Sequence, residues 1–464
     1  MNSLFRHISA LFILFLWMGW AHIPSAAAQE TRVIGIQADD FKARQIEGRT
    51  VFDLVRPVLT QEQSVLSSDF GLDEGNGYVR FWGHVQIVEE GDTLRAANVR
   101  YNRNTKIGIA EGEVYMTDGV ARLRAPYAVH YSDEDKTEFD QGVAYSDSMG
   151  TLSSKSAVYY TEPNVARFFG KVFLQQEDVV VRADSIEYAR ETEESNAWGS
   201  VWVEQLSDST STQIVTDRLY RNAVTDSIEV IGRTQLVRID LAESDTVYVA
   251  AKRIVLKEET DRDTVSASDS VVVASSSYAL RGDSLRTVSL TQGKQRSQVF
   301  GNPLAWLEKT QVMADSLHFL SYKNAADSLE GRGNVFVITE DSSSGRFQQL
   351  KGRSLTSIIE NDSLKTLIIA DNAEAIFYLQ PEGEEDEKGV KASGDGMRMD
   401  FEDGEVSYVG FYTGVQSLLY SGSLMSQLTN LSGFNWQPEL MPDRKYLMER
   451  FWVEVEHRRL LQEE

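Results

Sequence analysis

Apolar side chains along this chain recur in short alternating runs rich in Val, Ile, Thr, Tyr and Phe, the period-two signature of half-buried strands. Helical periodicity is scarce outside the C-terminal tail. With only 8 prolines and no long Ser- or Gly-rich tract, the chain reads as nearly all β.

The runs fall into an internal repeat, and the repeat sets the architecture. It starts clearly at Leu94, with Ala96, Val99 and Tyr101 two, five and seven places on. Steps of 29 residues reach Leu123, Leu152 and Val181, and backward steps reach Val65 and Ile36. Beyond Val181 the spacing loosens to 33, 35, 31, 32, 38 and 40, landing on Ile214, Val249, Leu280, Val312, Leu350 and Val390. All twelve anchors are aliphatic, and the residue two places on is always small. An apolar residue stands five places on except in the last copy, where Asp395 breaks the pattern.

A second element precedes most anchors: Gly83-x-Val85-x-Ile87, Gly112-x-Val114-x-Met116, Gly170-x-Val172-x-Leu174, Gly199-x-Val201-x-Val203 and Gly333-x-Val335-x-Val337. Glycine suits a backbone of positive φ, and the alternating pair after it is a short half-buried strand. Within the anchor element the apolar positions change parity between +2 and +5. A flat strand would place those pairs on opposite faces. Asp, Ser or Asn at +3 and +4, as in Asp184-Ser185, Asp283-Ser284 and Asp315-Ser316, predicts a bend there that returns both pairs to one interior. Each copy is then a folded rung, and stacked rungs make a rod with a continuous interior.

The alternation of G-x-V-x-[aliphatic] with [aliphatic]-x-A-D-x-[aliphatic]-x-Y, clearest at Gly170–Leu174 followed by Val181, Ala183, Asp184, Ile186 and Tyr188, resembles the OstA-like (LptA-type) proteins of lipopolysaccharide transport. Strong copies cover about residues 81 to 220 and weaker ones about 30 to 380. The resemblance implies an elongated, repeat-built β-jellyroll, two folded sheets in a half-open clam, with about twelve degenerate repeats of 29–40 residues. It also implies a periplasmic role in outer-membrane assembly. In that role an apolar groove shields the acyl chains of lipopolysaccharide or a related glycolipid, and other envelope transport proteins join by edge-strand addition. Val85, Ile87, Val114, Met116, Val172, Leu174, Val201 and Val203 are the candidates to line the groove, each also fitting ordinary core. The chain is longer than the small bridging members of that family, and it lacks the many amphipathic strands of a C-terminal transmembrane barrel.

Export fits this setting. Arg6, an apolar run from Ile8 to Ala21 and Ala26-Ala27-Ala28 predict a signal peptide over 1–28, cleaved before Gln29. The chain has no Cys, so neither disulfides nor a lipidated cysteine enters, and folding rests on burial and hydrogen bonds. A net charge of −24 argues against nucleic acid as a partner, since phosphate binding needs a basic face.

Catalytic and metal chemistry find little support. The six histidines, His7, His22, His84, His130, His318 and His457, lie far apart, and neither a nucleophile elbow nor a P-loop is present. No cofactor, no metal and no enzymatic activity are therefore expected. Two other readings stay open. One is a polysaccharide-acting β-helix with the recurring Asp39, Asp184, Asp217, Asp283 and Asp315 along a groove, although a repeated turn residue explains these more simply. The other is a structural or adhesive β-solenoid. An apolar seam favours transport, a carboxylate-lined groove an enzyme, and a closed core a scaffold.

The expected organisation is regular repeats over 29–240, degenerate repeats over 241–430 with an acidic loop at 381–389, and a C-terminal tail or cap over 431–464. The tail fits either a helix with Leu447, Phe451 and Val455 on one face or a strand through Phe451, Val453 and Val455.

Overall fold

The computed structural model describes residues 35–463, apart from short stretches between strands of which 380–387 is the longest. The expected signal segment 1–28, its cleavage site and most of the acidic loop lie outside the described residues. Strands make up 76% of the chain and helix 7%, and all the strand pairings described here are antiparallel, so the chain is all-β as its alternation requires. Two compact units divide it. The first takes in the described residues up to Gln205 with 218–225 and 457–464, and the second takes in 206–217 with 226–456.

Strand Val179–Ala189 shows how a rung is made. It pairs with strand Val165–Gln176 in register except at one place, where Phe169 faces Ser185 and Val172 faces Ala183. Gly170 and Lys171 therefore oppose Asp184 alone, a β-bulge with the extra residue on the glycine strand. Both bulge residues have positive φ, 74° and 54°. The same left-handed doublet occurs at Gly83 and His84, Gly112 and Glu113, Gln141 and Gly142, Gly199 and Ser200, and Gly333 and Asn334.

The bend thus sits on the glycine element, where left-handed backbone costs least, and not on the Asp and Ser of the anchor element. The aspartate has a different part. It stands against the glycine of the next strand so closely that a Cβ on Gly199 would lie 2.8 Å from Asp184 Cβ. Asp217 Oδ2 accepts the Arg233 backbone N–H at 3.0 Å, Asp315 Oδ1 accepts from Asn334 Nδ2 at 3.0 Å, and Asp69 Oδ2 lies 2.7 Å from His84 Nδ1. At these bends a carboxylate clasps the bulge, whereas Ala97 and Lys155 take its place against Gly112 and Gly170.

Because of the bends, the strands of a rung serve two ladders. Strand Arg122–Tyr131 pairs residues 122–124 with Val143–Ser146 and residues 127–131 with Lys136–Asp140. In the first unit, Phe81, Val99, Ala110, Ala128, Phe139, Ala157, Phe168, Ile186 and Ala197 are successive cross-strand partners, and all are buried. Large residues are interspersed with alanines along this row, as close packing between two sheets favours. Across the bend, Val85, Val114, Ala125, Val143, Val172 and Val201 form the buried row of the other ladder.

The second unit repeats this scheme in its own interior. Val230, Ile254, Ala267, Leu285, Val299 and Leu317 are consecutive partners in one ladder, and Val273, Leu280, Ala305, Val312, Val337 and Leu350 in the other. Except for Leu285, which is partly buried, these residues are buried.

Two anchors read from the sequence are displaced. Leu66, not Val65, pairs with Ile87, so the interior residue five places on is Gly71, while Phe70 is exposed and stacked on Trp82 at 5.8 Å. In the last copy Ala392, not Val390, continues the row through Leu350 and Ala375. Counted from Ala392, the position five places on is Met397, fully buried, and the break at Asp395 disappears.

The C-terminal part of the second unit closes one sheet face. Leu431 packs on Phe336, Ile338 and Ile376, joined by Leu428, Phe434 and Trp436. Two buried glutamines grip this segment by its backbone. Gln349 accepts the Leu431 N–H and donates to Asn430 Oδ1, and Gln311 accepts the Gln437 N–H and donates to the Asn435 carbonyl. Of the two forms open to the tail, the structure takes the helix, Arg444–Glu463, capped by Asp443 Oδ1 accepting the Tyr446 N–H at 3.0 Å. Phe451 and Val455 are buried, while Leu447 is half-buried and Val453 exposed.

Candidate functional site

Beyond the buried row of the first unit, two residues further from the bend, the second ladder carries another apolar row on the same face. Ile36, Leu59, Leu66, Ile87, Leu94, Met116 and Leu123 are successive partners across seven strands. Ile36 is exposed and the other six are half-buried. The row then continues through Tyr145, Leu152, Leu174, Val181 and Val203, which are buried except for Leu174. An apolar strip open toward the N-terminal strands thus closes toward strand Glu194–Leu206. At about 4.8 Å per strand its open part runs about 29 Å.

The eight candidates read from the sequence divide by their place in the rung. Val85, Val114, Val172 and Val201, next to the bend, are 0–1% exposed. Ile87, Met116 and Leu174, two residues further from the bend on the same face, are half-buried, and Val203 at the equivalent place on strand Glu194–Leu206 is buried. The anchors Leu94 and Leu123 belong with Ile87 and Met116 as their cross-strand partners. Leu59 and Leu66 complete the strip, and their only signal was an apolar neighbour one residue from the expected register.

The other ladder carries a different row. Val79, Tyr101, Gly108, His130, Thr137 and Tyr159 are consecutive partners on the face that carries Phe81 and Val99. His130 is exposed and the others half-buried. His130 Nδ1 lies 3.0 Å from Thr137 Oγ1. On the opposite face of the aliphatic ladder, Tyr115 stands between Val114 and Met116, with the Arg124 guanidinium 5.6 Å from its ring centroid.

The recurring aspartates stand at the bends. Asp184, Asp217, Asp283 and Asp315 each abut a bulge glycine, and Asp39 pairs with Arg56, itself a left-handed residue. Among the described residues no group of three or more His, Cys, Asp or Glu is placed to hold a metal ion. No helix of the described residues is long and apolar enough to cross a membrane.

With this geometry in place, the comparison with known families is informative. Residues 64–194 match the family described as "LptA/(LptD N-terminal domain) LPS transport protein". This segment is similar to the OstA-like lipopolysaccharide-transport domains. It holds most of the half-open strip, from Leu66 to Leu123, and the whole 29-residue register from Leu94 to Val181. No curated protein matches the chain.

Proposed function

We propose that this protein carries lipopolysaccharide or a related glycolipid through the periplasm, its acyl chains held against the half-open aliphatic strip of the first unit. The observation behind this reading is the gradation within a single rung. Val85 and Val114 are closed core, whereas Ile87 and Met116, two residues on, keep apolar surface uncovered along a line of like residues. Burying acyl carbon there is worth about 0.8 kcal/mol per CH₂, so a slot taking several chains binds without any polar motif.

The open sheet edges support docking to other envelope transport proteins. Among the described residues, strands Gly35–Gln37 and Asp40–Ile46 each pair on one side only, and Ile36 and Phe41 are exposed. Strands Glu405–Tyr412 and Gln416–Ser421 do the same and expose Val409 and Leu419. Unpaired edges of this kind take up a partner's strand.

A photo-crosslinking residue at 87 or 116, in protein exported to a Gram-negative periplasm, should capture lipopolysaccharide. The same residue at 115, on the opposite face, should not. Equal capture at 115 and 116, or none at 87 and 116 in folded protein, rejects the groove.

A further inference from the structure

The two lips of the first unit differ in chemistry beyond Val79, the aliphatic residue that begins the second. One lip is aliphatic from Leu66 to Leu123. The other carries Tyr101, His130, Thr137 and Tyr159 at the equivalent distance from the bend. Each of these four follows a buried residue of the core row by two positions or precedes it by two, so strand parity turns them toward the same side as that core. Gly108 lies between Tyr101 and His130 in the row. A Cβ there would have Tyr101 Cδ2 at 3.7 Å and His130 Cβ at 4.0 Å as its only close neighbours. The missing side chain leaves the Tyr101 ring and the His130 Cβ flanking Gly108, and the His130 imidazole in turn reaches Thr137 Oγ1 at 3.0 Å.

We infer that the groove orients its ligand: the aliphatic lip takes the acyl chains, and the lip of Tyr101, His130 and Tyr159 takes a sugar ring of the same glycolipid. A pyranose has an apolar face of C–H groups that lies well on an aromatic ring, and hydroxyls at its rim that hydrogen-bond to phenol, imidazole and threonine groups. An acyl chain gains nothing from those polar groups and would strip them of water. An amphiphile with sugars at one end and chains at the other therefore has one favoured way to lie across the mouth. Polar groups on one wall of an apolar site fix orientation in this manner.

This inference rests on the transport reading, and one experiment separates them. Photo-crosslinkers at 87 and 116 on one lip, and at 101 and 159 on the other, are irradiated with lipopolysaccharide, and the adducts are then treated with alkali to release ester-linked chains. The expected result is a fatty-acid remnant at 87 and 116 and a glycan remnant at 101 and 159. Fatty-acid remnants on both lips, capture on the aliphatic lip alone, or equal capture of a sugar-free phospholipid at 101 and 159 overturns the orientation and leaves transport standing. No capture at any of the four positions rejects the transport reading itself. As a second measure, Tyr101→Leu with Tyr159→Leu, checked for fold by circular dichroism, should weaken lipopolysaccharide binding about tenfold and leave phospholipid binding unchanged. Equal weakening of both, or of neither, counts against the sugar lip.

Discussion

Gln349 Oε1 accepts the backbone N–H of Leu431 at 2.9 Å, joining residues 82 apart in sequence inside a buried apolar cluster. The same side chain donates to Asn430 Oδ1 at 2.7 Å, so one amide satisfies both a main-chain donor and a side-chain acceptor. Gln311 repeats the arrangement on Asn435 and Gln437. A buried glutamine in a strand is normally a defect. Here both are fully buried because a crossing segment needs its unpaired peptide groups met.

Gln349→Leu should therefore destabilise the second unit by about 1–3 kcal/mol, since it leaves the Leu431 N–H buried without a partner, whereas the exposed Asn430 side chain can turn to water. Denaturant unfolding gives the magnitude, and hydrogen exchange at the Leu431 amide gives the place. Unchanged protection at Leu431 would mean the apolar contacts of Leu428, Phe434 and Trp436 hold the segment unaided.

At the bends, Gly199→Ala should cost at least about 2 kcal/mol, because the residue has a φ of 74° and its added methyl would meet the Asp184 side chain. Gly119→Ala is the control, as Gly119 has a φ of 92° with nothing within 4 Å, so strain acts there alone. Combining Gly199→Ala with Asp184→Gly, which also removes the Cβ at 2.8 Å, should recover the part due to the clash. A strictly additive cycle would show that Asp184 does not press on the bend.

How the rungs were legible in the sequence follows from these residues. Gly83, Gly112, Gly170 and Gly199 were legible as positions of positive φ because few residue types tolerate that backbone, but the bend itself was expected on the Asp and Ser of the anchor element and sits on the glycines instead. The register was less secure. Val65 and Leu66 are both apolar, and sequence offered no means to choose between them, although one residue turns every side chain to the other face. Phe70 ended outside on Trp82 for that reason. At the other end, the extra residues before Ala392 hid a regular copy. The grip of Gln311 and Gln349 left no trace at all, because it depends on a segment far along the chain. The division of the groove candidates was likewise invisible, since Val85 and Ile87 differ only in distance from the bend.

His318 gives the second unit a dependence on pH. Burial, with Arg332 and Arg296 nearby and Glu330 opposing them, lowers its pKa below the usual histidine value. The folded state thus binds this proton less readily than the unfolded state. Stability should be full above the unfolded pKa of about 6.5 and fall as pH drops from there toward the lower folded value. His318→Gln should flatten the Tm profile between about pH 7 and 5. An identical slope in the variant would assign the loss to other groups.

Core and mouth are separated most sharply by one substitution made at two neighbouring sites. Val85 is 1% exposed beside the bend, and Val85→Asp would bury a carboxylate with no partner, at a cost of several kcal/mol, enough to unfold the first unit. Ile87 lies on the same face two residues on but is half-buried, so Ile87→Asp keeps its charge at the water boundary and should leave the fold intact by circular dichroism and protease resistance. What Ile87→Asp should lose is lipid, because a charge on the strip would have to be desolvated by any chain laid across it. If both variants unfold, position 87 is core and the strip is merely the margin of a closed sandwich. If Ile87→Asp folds and still binds lipopolysaccharide as the parent does, the acyl chains lie elsewhere. Only a folded Ile87→Asp that has lost lipid, beside an unfolded Val85→Asp, places the boundary between core and groove within those two residues.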